Sequence, residues 1–181
     1  MPTFVALLRG VNVSKAKRVP MAELRAVLSG LGYANVATLL NSGNAVFRAA
    51  RRASARHAVE IAAAISSQLK VEVPVIVKSG EELAAIISES PITAEAQEYP
   101  RFLVAFVQDA KVLPGLAAIE PLVTPPEQFA IGKNAAYLLC APGILESKAG
   151  EALLGKVGRS VTTRNWATVL KLQALARELD A

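Results

Sequence analysis

Near the start of the chain, Arg9, Asn12, Lys15, Lys17 and Arg18 fall within ten positions, and Asn41, Ser42 and Asn44 form a second short cluster. Guanidinium and ammonium groups supply positive charge, while carboxamides and a hydroxyl supply directed hydrogen bonds. That combination suits a phosphate or another anion. A comparable set lies near the other end, with Ser147 and Lys148 followed by Thr163, Arg164, Asn165 and Trp166. With Thr163 capping a helix that starts there, Arg164 sits beside unpaired N-terminal amides, a second arrangement that favours an anion. Ser147 and Lys148 are expected in solvent, after a flexible Pro142-Gly143. Trp166 shares a helical stripe with Val169, Leu172, Ala176 and Leu179 and is therefore assigned to the core.

Catalytic constellations are harder to find. His57 is the only histidine and Cys140 the only cysteine, so no zinc set, no intramolecular disulfide and no Cys-His or Ser-His pair can be assembled from sequence. No metal or cofactor is expected. His57 reads as a surface residue in the first turn of a helix, and Cys140, in an alternating apolar run, as a small buried hydrophobe. Glu81 and Glu82 are explained by helix capping. Transfer of an acyl or phosphoryl group by Arg and Asn alone stays open, because such chemistry rests on positioning and electrostatics. Acylphosphatases use an arginine after a first strand and an asparagine on a second; Arg9 or Arg18 with Asn41 is an analogue at the level of fold only.

The elements that must position these residues follow from hydropathy patterning. Residues 3–8 are a continuous apolar run, too short for a helix and closed by Arg9-Gly10, and read as a strand buried on both faces. Pro20 opens a helix whose Leu24, Val27, Leu28 and Leu31 form one stripe, with Gly32 as its stop. About ten residues separate the two elements, where compact strand-to-helix connections take roughly two to six. Strands over 36–40 and 45–48 flank the turn Asn41-Ser42-Gly43-Asn44. Ser54 is placed as the cap of a helix with Ala58, Ile61, Ala62, Ile65 and Leu69 inward, and a strand over 71–77 follows. Pro74 sends that strand to an edge. Strand, helix, strand, strand, helix, strand is the order of a ferredoxin-like half, and it carries Arg9 to the same rim as the turn at 41–44.

The second half repeats the pattern less completely. A capping box, Ser79 with Glu82, starts a helix with Leu83, Ile86 and Ile87 inward, and the polar, proline-bounded residues 90–100 mark a boundary. A strand over 101–107, a short helix within 110–119 that Pro114-Gly115 can only begin, and a hairpin of 128–131 with 135–141 come next. Helices over about 145–154 and 164–179 close the chain, the last strand being missing or reduced to 158–161. The expectation is an α+β fold of two packed ferredoxin-like halves, residues 1–90 and 91–181, the second degenerate.

Composition sets limits on function. With 181 residues, 52% of them hydrophobic, the chain can bury a substantial core, which argues against disorder. The lack of a long apolar run or a signal peptide leads to the expectation of a soluble cytoplasmic protein. Residues 1–60 carry nine Lys or Arg against two Glu, while the remainder carries eleven against thirteen acids. A basic half on a mildly acidic half is the footprint of a protein that meets phosphates or another polyanion.

The segments ALLRGVNV with VPMAELR, LNSGNAVF, SK and TTRNWATVLKL together resemble, from end to end, the bacterial family of domain of unknown function 1697. The resemblance implies two ferredoxin-like repeats, a cytoplasmic bacterial protein and no assigned activity. Its motif positions fall on Arg9, Gly10, Asn12, Val13, Pro20, Ser42, Gly43, Asn44, Ser147, Lys148, Thr163, Arg164, Asn165, Trp166 and Thr168. Two positions depart from it. Ser14-Lys15 stands where the family commonly has Gly-Gly, which stiffens the loop, and Ala149 replaces the usual leucine.

Three functions follow as expectations. The first is binding of a phosphate-bearing small molecule or nucleic acid through Arg9, Asn12, Lys15, Arg18, Asn41, Ser42, Asn44, Lys148, Thr163, Arg164 and Asn165. The second is a small metal-independent hydrolase or transferase. The third is a scaffold or oligomerisation unit with no ligand. An aromatic content of 5% argues against single-strand binding by base stacking.

Overall fold

A computed structural model of the protein describes residues 1–140 and 146–181. The chain divides into two compact units, Met1–Leu83 with Leu172–Ala181, and Ala84–Lys171. Among the described residues each holds one four-stranded antiparallel sheet with helices, a mixed α+β architecture. No helix among them is long and apolar enough to cross a membrane.

In the first unit the order is Thr3–Leu8 (β1), Met21–Gly30 (α1), Ala34–Leu39 (β2), Asn44–Arg48 (β3), Ser54–Leu69 (α2) and Val75–Ser79 (β4). The sheet runs β2-β3-β1-β4, which puts β1 inside and β4 at an edge. All six residues of β1 are buried, as expected for a central apolar run. Phe4, Ala6 and Leu8 join Ala45 and Phe47 of β3 and Val77 of β4 in a core closed by Leu24 and Leu28 of α1 and Ile61 and Ile65 of α2. Helix α1 ends where a backbone with positive φ is needed. Gly32 has φ +86°, and the Tyr33 amide returns to the Leu28 carbonyl while Gly32 N–H reaches Ser29, a Schellman termination.

Two local expectations change here. Ser54 does not cap α2: Ala53 holds the cap position without a side-chain bond, and the Ser54 hydroxyl donates to the Glu82 carboxylate at 2.6 Å. The fourth strand starts at Val75 rather than 71, because Pro74, with no N–H to give to a ladder, precedes it. The capping box at Gly80–Ser88 (α3) forms in both directions, Ser79 N–H to Glu82 and Glu82 N–H to Ser79.

The second unit contains Phe102–Phe106 (β5), Gln128–Ile131 (β6), Ala135–Leu139 (β7), Lys148–Leu154 (α4), Thr162–Asn165 (β8) and the start of Trp166–Asp180 (α5). Its sheet runs β6-β7-β5-β8. The fourth strand is therefore present, four residues later than residues 158–161. It pairs antiparallel with β5, Val104 opposite Arg164 and Phe106 opposite Thr162. Its cost to the expected helix is two residues, for α5 starts at Trp166 and its first turn is held by the Asn165 carboxamide, which accepts from Thr168 N–H at 2.9 Å. Thr163 is not the cap.

Residues 110–122 form successive 3-10 turns, and Pro114 lies inside them, contrary to the expectation that it could only begin a helix. Short 3-10 turns leave more backbone N–H groups outside a repeating ladder, so the missing donor of proline costs less than in an α-helix. Asp109 starts the run by accepting from Lys111 N–H. Ser147 is buried, not exposed, because its hydroxyl caps α4 by accepting from Gly150 N–H at 2.9 Å. Pro142-Gly143, the end of the strand expected over 135–141 and the start of the helix expected at 145 lie outside the described residues.

Candidate functional site: the corner at the end of the first strand

Strand β1 delivers its C-terminal end to the hairpin turn. Leu7 stands opposite Asn44, Leu8 N–H donates to the Gly43 carbonyl at 2.8 Å, and Arg9 N–H donates to the Pro74 carbonyl on the other side. Gly43 has φ +89°, and a Cβ there would lie 2.7 Å from Leu8 Cβ and 2.8 Å from Val11 Cγ2. Only glycine permits this approach of turn to strand.

The long connection between β1 and α1 is held at both ends. Val11 and Val19 are buried, and everything from Asn12 to Arg18 is exposed. Asn12 closes the loop. Its backbone N–H donates to the Lys17 carbonyl, its Oδ1 accepts from Val19 N–H at 2.9 Å, and its Nδ2 donates to the carbonyls of Val19 at 2.9 Å and Asn41 at 2.6 Å. With φ at 60°, it also takes the left-handed conformation that asparagine tolerates better than most residues.

The clamp leaves a cavity of about 470 Å³ lined by Asn12, Val13, Ser14, Lys15, Arg18, Pro20 and Asn41. Helix α1 opens on this side, Pro20 being its cap position with no side-chain bond. The first helical amides have no acceptor within the helix, and the dipole there is positive. Lys15 and Arg18 add two exposed cations.

The other predicted residues of this corner are placed on its rim but do not line the cavity. Arg9 is half-buried, and burial lowers its pKa from the ordinary value. Asn44 is fully buried and donates to the Leu39 carbonyl and to the Ser42 hydroxyl, both at 2.9 Å. Ser42 is exposed. The carboxamide of Asn12 thus serves the main chain and that of Asn44 the hairpin turn, and the charge is carried by Lys15, Arg18 and their neighbours.

The second predicted set, in the other unit, is more enclosed. Arg164 is only 8% exposed, and Nη1 donates to the Thr162 hydroxyl and the Thr163 carbonyl, both at 2.8 Å. Burial pushes its pKa down to about 10. Thr163 is half-buried in β8, Asn165 is occupied as the α5 cap, and Lys148 is exposed at the first position of α4. Trp166 is half-buried and stacks on Phe102 with ring centroids 4.8 Å apart.

His57 is the largest departure from the sequence reading. It is 1% exposed rather than on the surface, packed among Phe4, Tyr33 and Phe47. Its Nδ1 lies 2.8 Å from the Tyr33 hydroxyl, which also reaches Glu60 at 3.4 Å, while Nε2 has no hydrogen-bond partner among the described residues. Burial holds the imidazole pKa below its ordinary value. Burial, with the charge of Glu60, raises Tyr33 to about 12. A histidine one position before Ala58, on the edge of the apolar stripe, was the available signal. Cys140 is buried, as its alternating run indicates. Among the described residues no group of three or more His, Cys, Asp or Glu is placed to hold a metal ion.

Comparison with known proteins finds likeness to a family and to solved structures. The family described as "Protein of unknown function (DUF1697)" matches residues 1–137. The solved structure of the conserved bacterial protein SP0830 from Streptococcus pneumoniae superposes with a TM-score of 0.80 at 23% identity, over 97% of this chain and 98% of that one, a likeness of fold. No curated protein matches the chain.

Proposed function

Since the chain belongs to the DUF1697 family of proteins of unknown function, we propose from geometry alone that it binds a phosphate-bearing ligand, nucleic acid first among them, at the corner after β1. The observation that carries this reading is the Asn12 clamp. It holds an exposed, basic loop in one shape, so Lys15 and Arg18 meet a ligand already positioned beside the mouth of α1. Preorganised charge loses less entropy on binding than a free loop does. In this reading Arg9, Lys15 and Arg18 supply charge, Asn41 lines the cavity, Ser42 stands at the rim, and Asn12 and Asn44 set the geometry. Lys148, Thr163, Arg164 and Asn165 form a separate second locus.

We also propose two ferredoxin-like halves, 1–90 and 91–181, in a cytoplasmic protein; the two matching sheet orders support the ferredoxin-like part of that reading. The test is fluorescence anisotropy with a labelled oligonucleotide across a salt series. Backbone-phosphate binding weakens along a log–log line whose slope counts the contacts, roughly 0.9 per phosphate on duplex DNA. The double substitution Lys15→Ala with Arg18→Ala should flatten that slope by about two. Absence of salt-dependent binding at low ionic strength to oligonucleotides and mononucleotides alike would refute the proposal.

A further inference from the structure

Among the described residues four strands end their sheets, and three carry devices that discourage pairing with another chain. The β2 edge is broken by a register shift between Ala34 and Ala37, with Asn35 at φ 53°. The β4 edge is preceded by Pro74 and carries the buried Lys78, and β8 carries the buried Arg164. Bulges, prolines and inward charges of this kind are how sheet edges are kept from associating. Strand β6 is only four residues long and follows Pro125-Pro126 and the buried Glu127, but within the strand itself it has neither bulge, proline nor charge. Its sequence is Gln128-Phe129-Ala130-Ile131, uncharged, and its pairing with β7 is regular throughout.

The free side of β6 can be assigned from register. Gly132 N–H donates to the Ala135 carbonyl, so Ala130 opposite Tyr137 and Gln128 opposite Leu139 are the hydrogen-bonded pairs with β7. The main-chain groups of Phe129 and Ile131 therefore point outward. Along the strand runs a cleft of about 580 Å³ with apolar walls at Ile92, Val123, Pro125 and Phe129 and with Glu120 and Glu127 beside them.

We propose that the occupant of this edge is a second copy of the chain, paired antiparallel through β6 about a two-fold axis at Ala130. This arrangement is independent of the basic corner. It sets Phe129 of one copy against Ile131 of the other, so all four outward N–H and C=O groups are used. Both Ala130 residues then face each other in a close, non-hydrogen-bonded pair, where a substituent on one is met directly by the same substituent on the other. The same axis brings the exposed Lys133 end of one strand toward the acidic end of its mate, where Glu120 is exposed beside the cleft and Glu127 is buried, accepting from Thr124 N–H. Four residues of edge make a modest interface, and the dimer is correspondingly concentration-dependent.

Sedimentation equilibrium on the full chain tests the assignment. Wild type should associate reversibly to a dimer, and Ala130→Lys and Ala130→Glu should each be monomeric, since like charges meet across the axis. An equimolar mixture of the two variants should recover the dimer. Lys133→Glu, at an exposed turn position, gives a reading that does not depend on tolerance at 130 and should weaken association about threefold to tenfold. A wild-type chain that stays monomeric at millimolar concentration, or a dimer unaffected by these changes, would overturn the proposal.

Discussion

The Asn12 carboxamide donates to the Asn41 main-chain carbonyl at 2.6 Å, joining two turns that are 29 positions apart in sequence. Through this bond the basic loop and the β2–β3 hairpin become one surface. The remaining bonds of the same side chain, to both main-chain groups of Val19, fix where the loop re-enters the core. One neutral residue therefore governs the placement of several charged ones.

Replacing Asn12 with Asp keeps an acceptor for Val19 N–H but removes both donors and sets a carboxylate against two carbonyls. We expect a loss of about 1–3 kcal/mol in stability and weaker anion binding, with Asn12→Gly losing the side-chain bonds but keeping the left-handed backbone. Chemical denaturation of both variants, alongside their anisotropy titrations, checks this. Unaltered loop exchange rates in the Asp variant would contradict the clamp.

Gly43→Ala should be more damaging than an exposed substitution. The added methyl meets Leu8 and Val11 at under 3 Å, and φ +89° is unfavourable for alanine. A loss of about 2 kcal/mol or more is expected, with the melting temperature as readout. Since Leu8 and Val11 flank Arg9, the variant should also bind anions less well.

The His57 network makes stability depend on pH. Because burial lowers the folded-state pKa, the unfolded chain takes up a proton at higher pH than the native one. Stability is then complete above the ordinary imidazole value of about 6.5 and declines as pH falls below it toward the folded value. His57→Phe should remove this part of the acid dependence, measured as the difference between urea midpoints at neutral and mildly acidic pH. If wild type and variant lose stability in parallel over that window, His57 is not the responsible group.

Tyr33→Phe removes a hydroxyl placed between His57 and Glu60. Its pKa, raised to about 12, keeps it neutral and able to donate at physiological pH. Leaving His57 Nδ1 without this partner should cost about 1–3 kcal/mol, and the double variant Tyr33→Phe with His57→Phe should cost less than the sum of the two single changes. Additive losses would show that the two rings do not act as a pair.

What could be read in the sequence was what neighbouring residues decide among themselves. The apolar run of β1, the Schellman glycine at 32, the Ser79–Glu82 capping box and the edge position implied by Pro74 all depend on contacts a few positions apart. The order of elements then fixed which ends meet, so the nearness of Arg9 to the 41–44 turn was legible as well.

The tertiary structure alone decided what each side chain does there. Asn12 and Asn44 have the residue types of ligand contacts, yet the Asn12 carboxamide is taken up by Val19 and by the Asn41 carbonyl, whose nearness depends on how loop and hairpin pack, and that of Asn44 by Leu39 and Ser42 of its own hairpin. His57 is buried because three aromatic rings, from β1, β3 and the connection after α1, converge on it, and Thr162–Asn165 is a strand because β5 offers it an edge to pair with. A short polar segment has no intrinsic preference strong enough to settle strand against helix, whereas a ladder of hydrogen bonds to a neighbouring strand does.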